Sequence, residues 1–246
     1  MAENIIHEQG SIQIPAIGEP EDWKELGIDE CDEPLVSLES VDRIVTSSEY
    51  CRRGYQNALR QTYVRLGVRS KLCDAAELLP LDHKLLVFDG WRPKALQEEL
   101  FDELSGRNRR EHPDLTDDEV TAMTKTYVTY PNDDPTAPNP HLTGGAIDLS
   151  ICDADGSPLS MGTKFDEFSP KSRTRYYEDL LAIKKELSTD ELSYLRNRRL
   201  LFHVMSAVGF TNYAEEWWHY DYGNQFWSSL TQQKAIYGPA FKVANA

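Results

Sequence analysis

The 246-residue sequence predicts an α+β fold, a single domain in which a mostly antiparallel sheet carries flanking helices. Three observations support this. KLLVFDG, a continuous apolar run closed by Asp89-Gly90, and Ala146, Ile147, Leu149 and Ile151 ahead of DADG both read as strands. Three pairs with capping-box spacing, Thr46 with Glu49, Thr116 with Glu119 and Ser188 with Glu191, each open a stretch of helical apolar spacing. With 40% hydrophobic and 27% charged residues, the composition suits a chain that buries a core, and it excludes disordered and collagen-like classes.

Residues 1–40 are acidic, contain Pro15, Pro20 and Pro34, and show no sustained period, so they predict an extension or wrapping arm before a domain over 41–246. Thr46 and Glu49 have capping-box spacing ahead of Cys51, Tyr55 and Leu59, which predicts a helix over about 47–66. A short helix near 70–79 should lead into a strand at 85–89. Pro93 suits a first helical position and Leu96, Leu100 and Leu104 follow, so a helix is expected over 93–105, stopped by Ser105-Gly106. Thr116 opens a helix over about 117–129, and PNDDPTAPNP at 131–140 is a loop. Beyond Gly144-Gly145 come a strand at 146–151 and a DADG hairpin turn, which lacks the other ligand positions of a calcium loop. The last helix opens at Ser188, aligns Tyr194, Leu201, Met205 and Val208, and closes at Gly209. AEEWWHYDYG is too aromatic to prefer a helix and predicts a strand over 215–222. The functional site is expected at one edge of the sheet.

A formal net charge of −15 argues against nucleic acid or an anionic membrane as partner. No apolar run approaches the ~18 residues of a membrane span. Glu3, His7 and Glu8 interrupt what would be the apolar core of an export signal, so the expected location is the cytoplasm. In that compartment Cys31, Cys51, Cys73 and Cys152, without CxxC spacing, read as free and mostly buried thiols. Oligomeric state stays open, a homo-oligomer included.

The chemistry concentrates around two of the six histidines, His141 and His219. His141 precedes Asp148 by seven positions, an offset that would put them on opposite faces of an unbroken strand. Gly144-Gly145 can bend the chain between them, so the pair could offer an imidazole nitrogen and a carboxylate oxygen to a metal. In EEWWHYDYG, Glu216 lies three residues before His219 among Trp and Tyr bulk. If His219 joins His141 and Asp148, two imidazoles and one carboxylate leave a fourth tetrahedral position for water, as in catalytic zinc sites. Glu216, not itself a ligand, could then act as general base. Arg92 in FDGWRPKA follows a strand end and a tight turn, and could stabilise an oxyanion. Alone, HxxxxxxD and ExxH are more often accidents of surface or core polarity, and Arg92 could equally pair a surface acid.

Together FDGWRP, PHLTGGAIDLSI, MGTKFDEF and EEWWHYDYGNQFW resemble the zinc D-alanyl-D-alanine dipeptidases of the vancomycin-resistance type. The likeness spans about residues 40–230, including NRRLLFHVM, in the family's order. It implies one zinc per chain on His141, Asp148 and His219, with Glu216 as base, Arg92 as transition-state stabiliser, and a zinc D,D-peptidase or hedgehog-like fold. It also implies that Asp166 pairs the free amine of a small D,D-dipeptide. Asn139 stands where the family usually has a Ser that receives the substrate carboxylate; an amide can still donate there. The implied reaction is hydrolysis of D-Ala-D-Ala in cell-wall peptidoglycan metabolism. The alternatives are a D,D-carboxypeptidase on peptidoglycan stems and a non-catalytic zinc-binding module.

Overall fold

The computed structural model describes residues 10–132, 134–184 and 186–241. Glu3, His7 and Glu8, on which the export-signal reading rests, lie outside them. The described strands are β1 Leu35–Ser37, β2 Ile44–Thr46, β3 Tyr63–Arg65, β4 His83–Asp89, β5 Ala146–Asp153, β6 Thr211–Asn212 and β7 His219–Asp221. The α-helices are α1 Glu49–Arg52, α2 Leu66–Leu78, α3 Lys94–Glu111, α4 Asp117–Lys125, α5 Tyr176–Lys184, α6 Thr189–Ala207 and α7 Gln225–Thr231. One five-stranded sheet runs in the order β2-β4-β5-β7-β6, parallel at β2–β4 and antiparallel elsewhere. A second, two-stranded sheet pairs β1 with β3. The α+β class and the mostly antiparallel sheet are as expected.

The central strand β5 is buried along almost its whole length, so that Asp148 and Ser150, which alternate with its apolar residues, are shielded from solvent as well. Alternation puts Ile147, Leu149 and Ile151 on one face and Asp148 on the other. The first three are fully buried in the core with Leu85 and Val87 of β4 and with Leu201, Val204 and Met205 of α6. Each such aliphatic burial contributes about 1.5–3 kcal/mol. Helices α4 and α6 begin with complete capping boxes at Thr116/Glu119 and Ser188/Glu191, as their sequences require.

Four expectations are corrected. The helix over 47–66 is reduced to α1, because Thr46 is committed to β2 and Gly54 turns the chain at φ +87°. Tyr63–Arg65 then pair with β1, and this long-range pairing overrides local helical spacing. The helix expected to stop at Ser105-Gly106 continues to Glu111, since Asn108 is buried and donates to Thr124 Oγ1 on α4 at 3.1 Å. That packing outweighs the roughly 1 kcal/mol a helical glycine costs. The strand over 215–222 shortens to β7, because Glu216 N–H bonds Tyr213 O and Trp217 N–H bonds Ser172 O in a preceding turn. Finally, of the four free cysteines only Cys152 is buried; Cys31 is exposed and the other two are half-buried.

Residues 10–34, ahead of β1, lie along the body. Ile14 is fully buried, its N–H donated to Glu178 Oε1 at 2.9 Å, and Trp23 packs edge-on against Phe226 with ring centroids 4.6 Å apart. No helix among the described residues is long and apolar enough to cross a membrane.

Candidate metal centre

Three neighbouring strands bring the first acidic and imidazole groups into one row. Asp148 on β5 pairs directly with His219 on β7 on one side and with Asp89 on β4 on the other. Directly paired residues share a face, so all three point the same way. Asp89 reaches that face only because β4 carries a bulge: Val87 pairs with Leu149, but Asp89 pairs with Asp148, leaving Phe88 as an extra residue. Without the bulge Asp89 would follow Val87 to the opposite face. The site therefore spans the middle strands, β4, β5 and β7, and the expectation of a sheet-edge location is corrected.

His141 arrives from a 3₁₀ turn at Pro140–Thr143. Gly144 ends that turn at φ +71°, which a side chain would resist, and a Cβ on Gly145 would stand 2.5 Å from Tyr222 O. The glycine pair thus supplies the bend that the seven-residue spacing demanded.

The donor atoms converge. His141 Nε2 is 3.2 Å from His219 Nδ1 and 3.3 Å from Asp148 Oδ2, and His219 Nδ1 is 3.1 Å from Asp148 Oδ1. All three residues are buried. His141 Nδ1 lies 2.8 Å from the Gly90 carbonyl, and His219 Nε2 lies 3.0 Å from Asp221 Oδ2. Both partners only accept, so they select the tautomer in which the ring proton sits there, and a metal held with Asp148 would meet the other nitrogen of each ring as a lone pair. Donors about 2.0–2.1 Å from a tetrahedral zinc stand about 3.3–3.4 Å apart, so the donor types and spacings fit that ion.

The surrounding charges are held tightly. Arg92 is 7% exposed, donating through Nε to Asp89 Oδ2 (2.8 Å), through Nη1 to Gln97 Oε1 (2.9 Å), and through Nη2 to Asp148 Oδ2 (3.2 Å) and Tyr50 Oη (3.3 Å). Burial opposes a charge on Asp148, yet His141 and His219 outweigh it and hold the carboxyl well below the usual range. Burial likewise opposes the imidazolium of His219, and Asp221 and Asp148 outweigh it and raise the pKa. Glu216, with Oε2 4.0 Å from His219 Nδ1, is buried in the turn before β7, and burial pushes its carboxyl up to about 8.

Asp166 and Asn139 line the same cleft, which has a volume of about 930 Å³. Burial lifts the Asp166 carboxyl to about 6, while Arg53, donating through Nη1 to its Oδ2 at 2.8 Å, pulls the other way. Tyr50 donates to Asp166 Oδ1 at 3.4 Å, and so links Asp166 to Arg92. Asn139 is buried, its Oδ1 accepting from Asn132 Nδ2 at 3.1 Å, which leaves its own amide hydrogens for another acceptor. Glu19, Pro20 and Trp23 of the arm form part of the cleft wall.

All seven residues singled out from the sequence, His141, Asp148, His219, Glu216, Arg92, Asp166 and Asn139, thus border one cleft. Missed were Asp89, Asp221, Tyr50 and Arg53. Asp221 carried a signal, two residues after His219 on a strand and so on its face. Asp89, in sequence, reads only as a turn residue.

Two imidazoles and a carboxylate converging in a buried row, with another carboxylate beside them, are the arrangement of a zinc hydrolase. The chain belongs to the Peptidase_M15 family, D-ala-D-ala dipeptidase, which it matches over residues 60–236. It is 33% identical to a D-alanyl-D-alanine dipeptidase of Synechocystis sp. over 84% of this chain and 89% of that protein. To a D-alanyl-D-alanine dipeptidase of Enterococcus faecalis it is 30% identical over 64% of this chain and 69% of that one. A solved structure of a mutant vancomycin-resistance D,D-pentapeptidase, VanY, in complex with Zn(II), aligns at 15% identity and TM-score 0.43, covering 82% of this chain and 88% of that one.

Proposed function

We propose that the chain hydrolyses D-alanyl-D-alanine, or a closely related D,D-dipeptide, at one zinc ion held by His141, Asp148 and His219. The observation that carries this reading is the convergence of three donors at 3.1–3.3 Å beside the buried, non-ligating Glu216. Zinc bound there supplies Lewis acidity, polarising the peptide carbonyl and lowering the pKa of a water to about 7. Glu216 accepts the proton of the attacking water and delivers it to the leaving amine. Burial raises its carboxyl above the usual range, toward the pH at which a group can both take and return a proton. Arg92, fixed by Asp89 and Gln97, holds Nη2 toward Asp148 and Tyr50, where it stabilises the negative charge developing on the carbonyl oxygen.

Asp166 receives the substrate's free ammonium and Asn139 donates to its carboxylate, so the two ends set a span that fits a dipeptide. Residues 41–246 form the catalytic domain in this reading, and residues 1–40 the extension. The product is a pair of free D-amino acids, and in this reading the reaction belongs to cytoplasmic turnover of peptidoglycan precursors.

A metal-dependent cleavage assay over dipeptides of both chiralities, run with and without chelator, tests the proposal. Zinc-dependent release of D-Ala from D-Ala-D-Ala is expected, with L,L-dipeptides inert. Hydrolysis undiminished by chelation would overturn it. One observation favours a second reading, a D,D-carboxypeptidase: Arg53 already compensates Asp166 at 2.8 Å. Faster cleavage of N-acyl-D-Ala-D-Ala than of the free dipeptide would select that reading.

A further inference from the structure

We infer that Asp221 is the positioning residue of His219, holding the ring so that Nδ1, and not Nε2, faces His141 and Asp148. The inference rests on the metal-binding reading above. An imidazole offers two nitrogens, and the hydrogen bond made by one decides which the other side receives. For His141 a backbone carbonyl, that of Gly90, makes the choice. For His219 a side chain makes it: Asp221 follows two positions later on β7, shares its face, and accepts from Nε2 at 3.0 Å.

Asp221 is itself fixed. It is 2% exposed, and its second oxygen accepts from Asn224 Nδ2 at 2.6 Å. Asn224 is also buried, and its own oxygen caps α7 by accepting Trp227 N–H at 3.0 Å. The chain of contacts therefore runs from the start of α7 through Asn224 and Asp221 to the ring of His219. Asp221 does not belong to the three-residue cluster whose donors converge, so its place is behind a ligand. Ala146, paired across the ladder from Asp221, has no side chain long enough to compete for the carboxylate.

This geometry makes a distinctive demand. In Asp221→Asn, the amide must aim its hydrogens either at the Nε2–H of His219 or at the Nδ2 hydrogens of Asn224, which cannot turn without releasing α7. Adding Asn224→Asp removes the conflict, because the amide oxygen at 221 can accept from the ring, its hydrogens can donate to the new carboxylate, and that carboxylate can still cap Trp227 N–H.

The test is zinc affinity, measured at one fixed pH by competition with a chromophoric chelator, with thermal unfolding of each metal-free protein in parallel. Asp221→Asn should bind zinc about 10- to 100-fold more weakly, and the Asp221→Asn/Asn224→Asp pair should recover most of that loss. Asn224→Ser keeps a capping oxygen but drops the amide donor to Asp221; it should weaken zinc in the same direction and serves if Asp221→Asn does not fold. Wild-type affinity in Asp221→Asn, or in Asn224→Ser where that variant must serve, would overturn the inference and leave the metal reading standing. A loss that the paired swap does not relieve would also overturn it, by showing a structural effect only. Failure of the unaltered protein to bind zinc would remove the metal reading itself.

Discussion

Glu216 owes its chemistry to its surroundings: the carboxyl that titrates near 4.5 in ordinary settings is raised to about 8 by burial in this cleft. Glu216→Ala should keep stoichiometric zinc while losing about 10²-fold or more in kcat, read by steady-state kinetics beside metal analysis. Near-normal turnover would take Glu216 out of the mechanism. In the proposed mechanism Asp166 sets a different pH dependence. Its carboxyl is lifted to about 6, so it is ionised above that pH and able to pair an ammonium, and protonated below it. KM for D-Ala-D-Ala should therefore rise toward tenfold per unit as pH falls below about 6, and Asp166→Asn should show a high KM without that limb. At this scale much was legible, because His141 with Asp148 and Glu216 with His219 are close in sequence and chemically distinctive. Arg53 was not, since nothing local links it to Asp166, 113 positions away.

Among the elements, the turn after His141 and the bulge in β4 do most to build the site. Gly144 sits at φ +71°, and a Cβ there would stand 2.5 Å from Leu35 Cδ2. The left-handed conformation costs an ordinary residue ~1–2 kcal/mol, so Gly144→Ala should lower Tm by about 2–8 °C in a domain of this size and weaken zinc binding with it. Gly156, at φ +86° in the DADG turn with nothing within 4 Å of a Cβ, is the control. Gly156→Ala should cost stability alone, leaving zinc affinity and kcat unchanged in the same assays. Helices α4 and α6 were legible from their caps, since a capping box is satisfied within four residues. The bulge was not, because FDG reads the same whether or not β4 slips one residue against β5.

Over the whole molecule, the buried acids make stability depend on the metal and on pH. In the metal-free protein Glu216 keeps its proton up to about pH 8, while in the unfolded chain it releases it near 4.5. Between those values the folded state binds the extra proton, so raising pH favours unfolding, by up to ~1.4 kcal/mol per unit from this group. Chelated protein should melt at progressively lower temperature as pH rises from about 5 to 8; Glu216→Gln should flatten that slope, and restored zinc should raise Tm throughout. A slope unchanged in Glu216→Gln would assign it to other groups. The amino-acid sequence by itself determined the fold class, the capped helices and the set of imidazole, carboxylate and guanidinium residues that the cleft gathers, because these depend on side-chain chemistry and short-range spacing. Only the tertiary structure decided that Asp89, Asp148 and His219 share one face, that Tyr63–Arg65 is a strand, and which nitrogen of each histidine faces the centre. Those outcomes depend on strand register and on partners dozens of residues away, which local pattern does not encode.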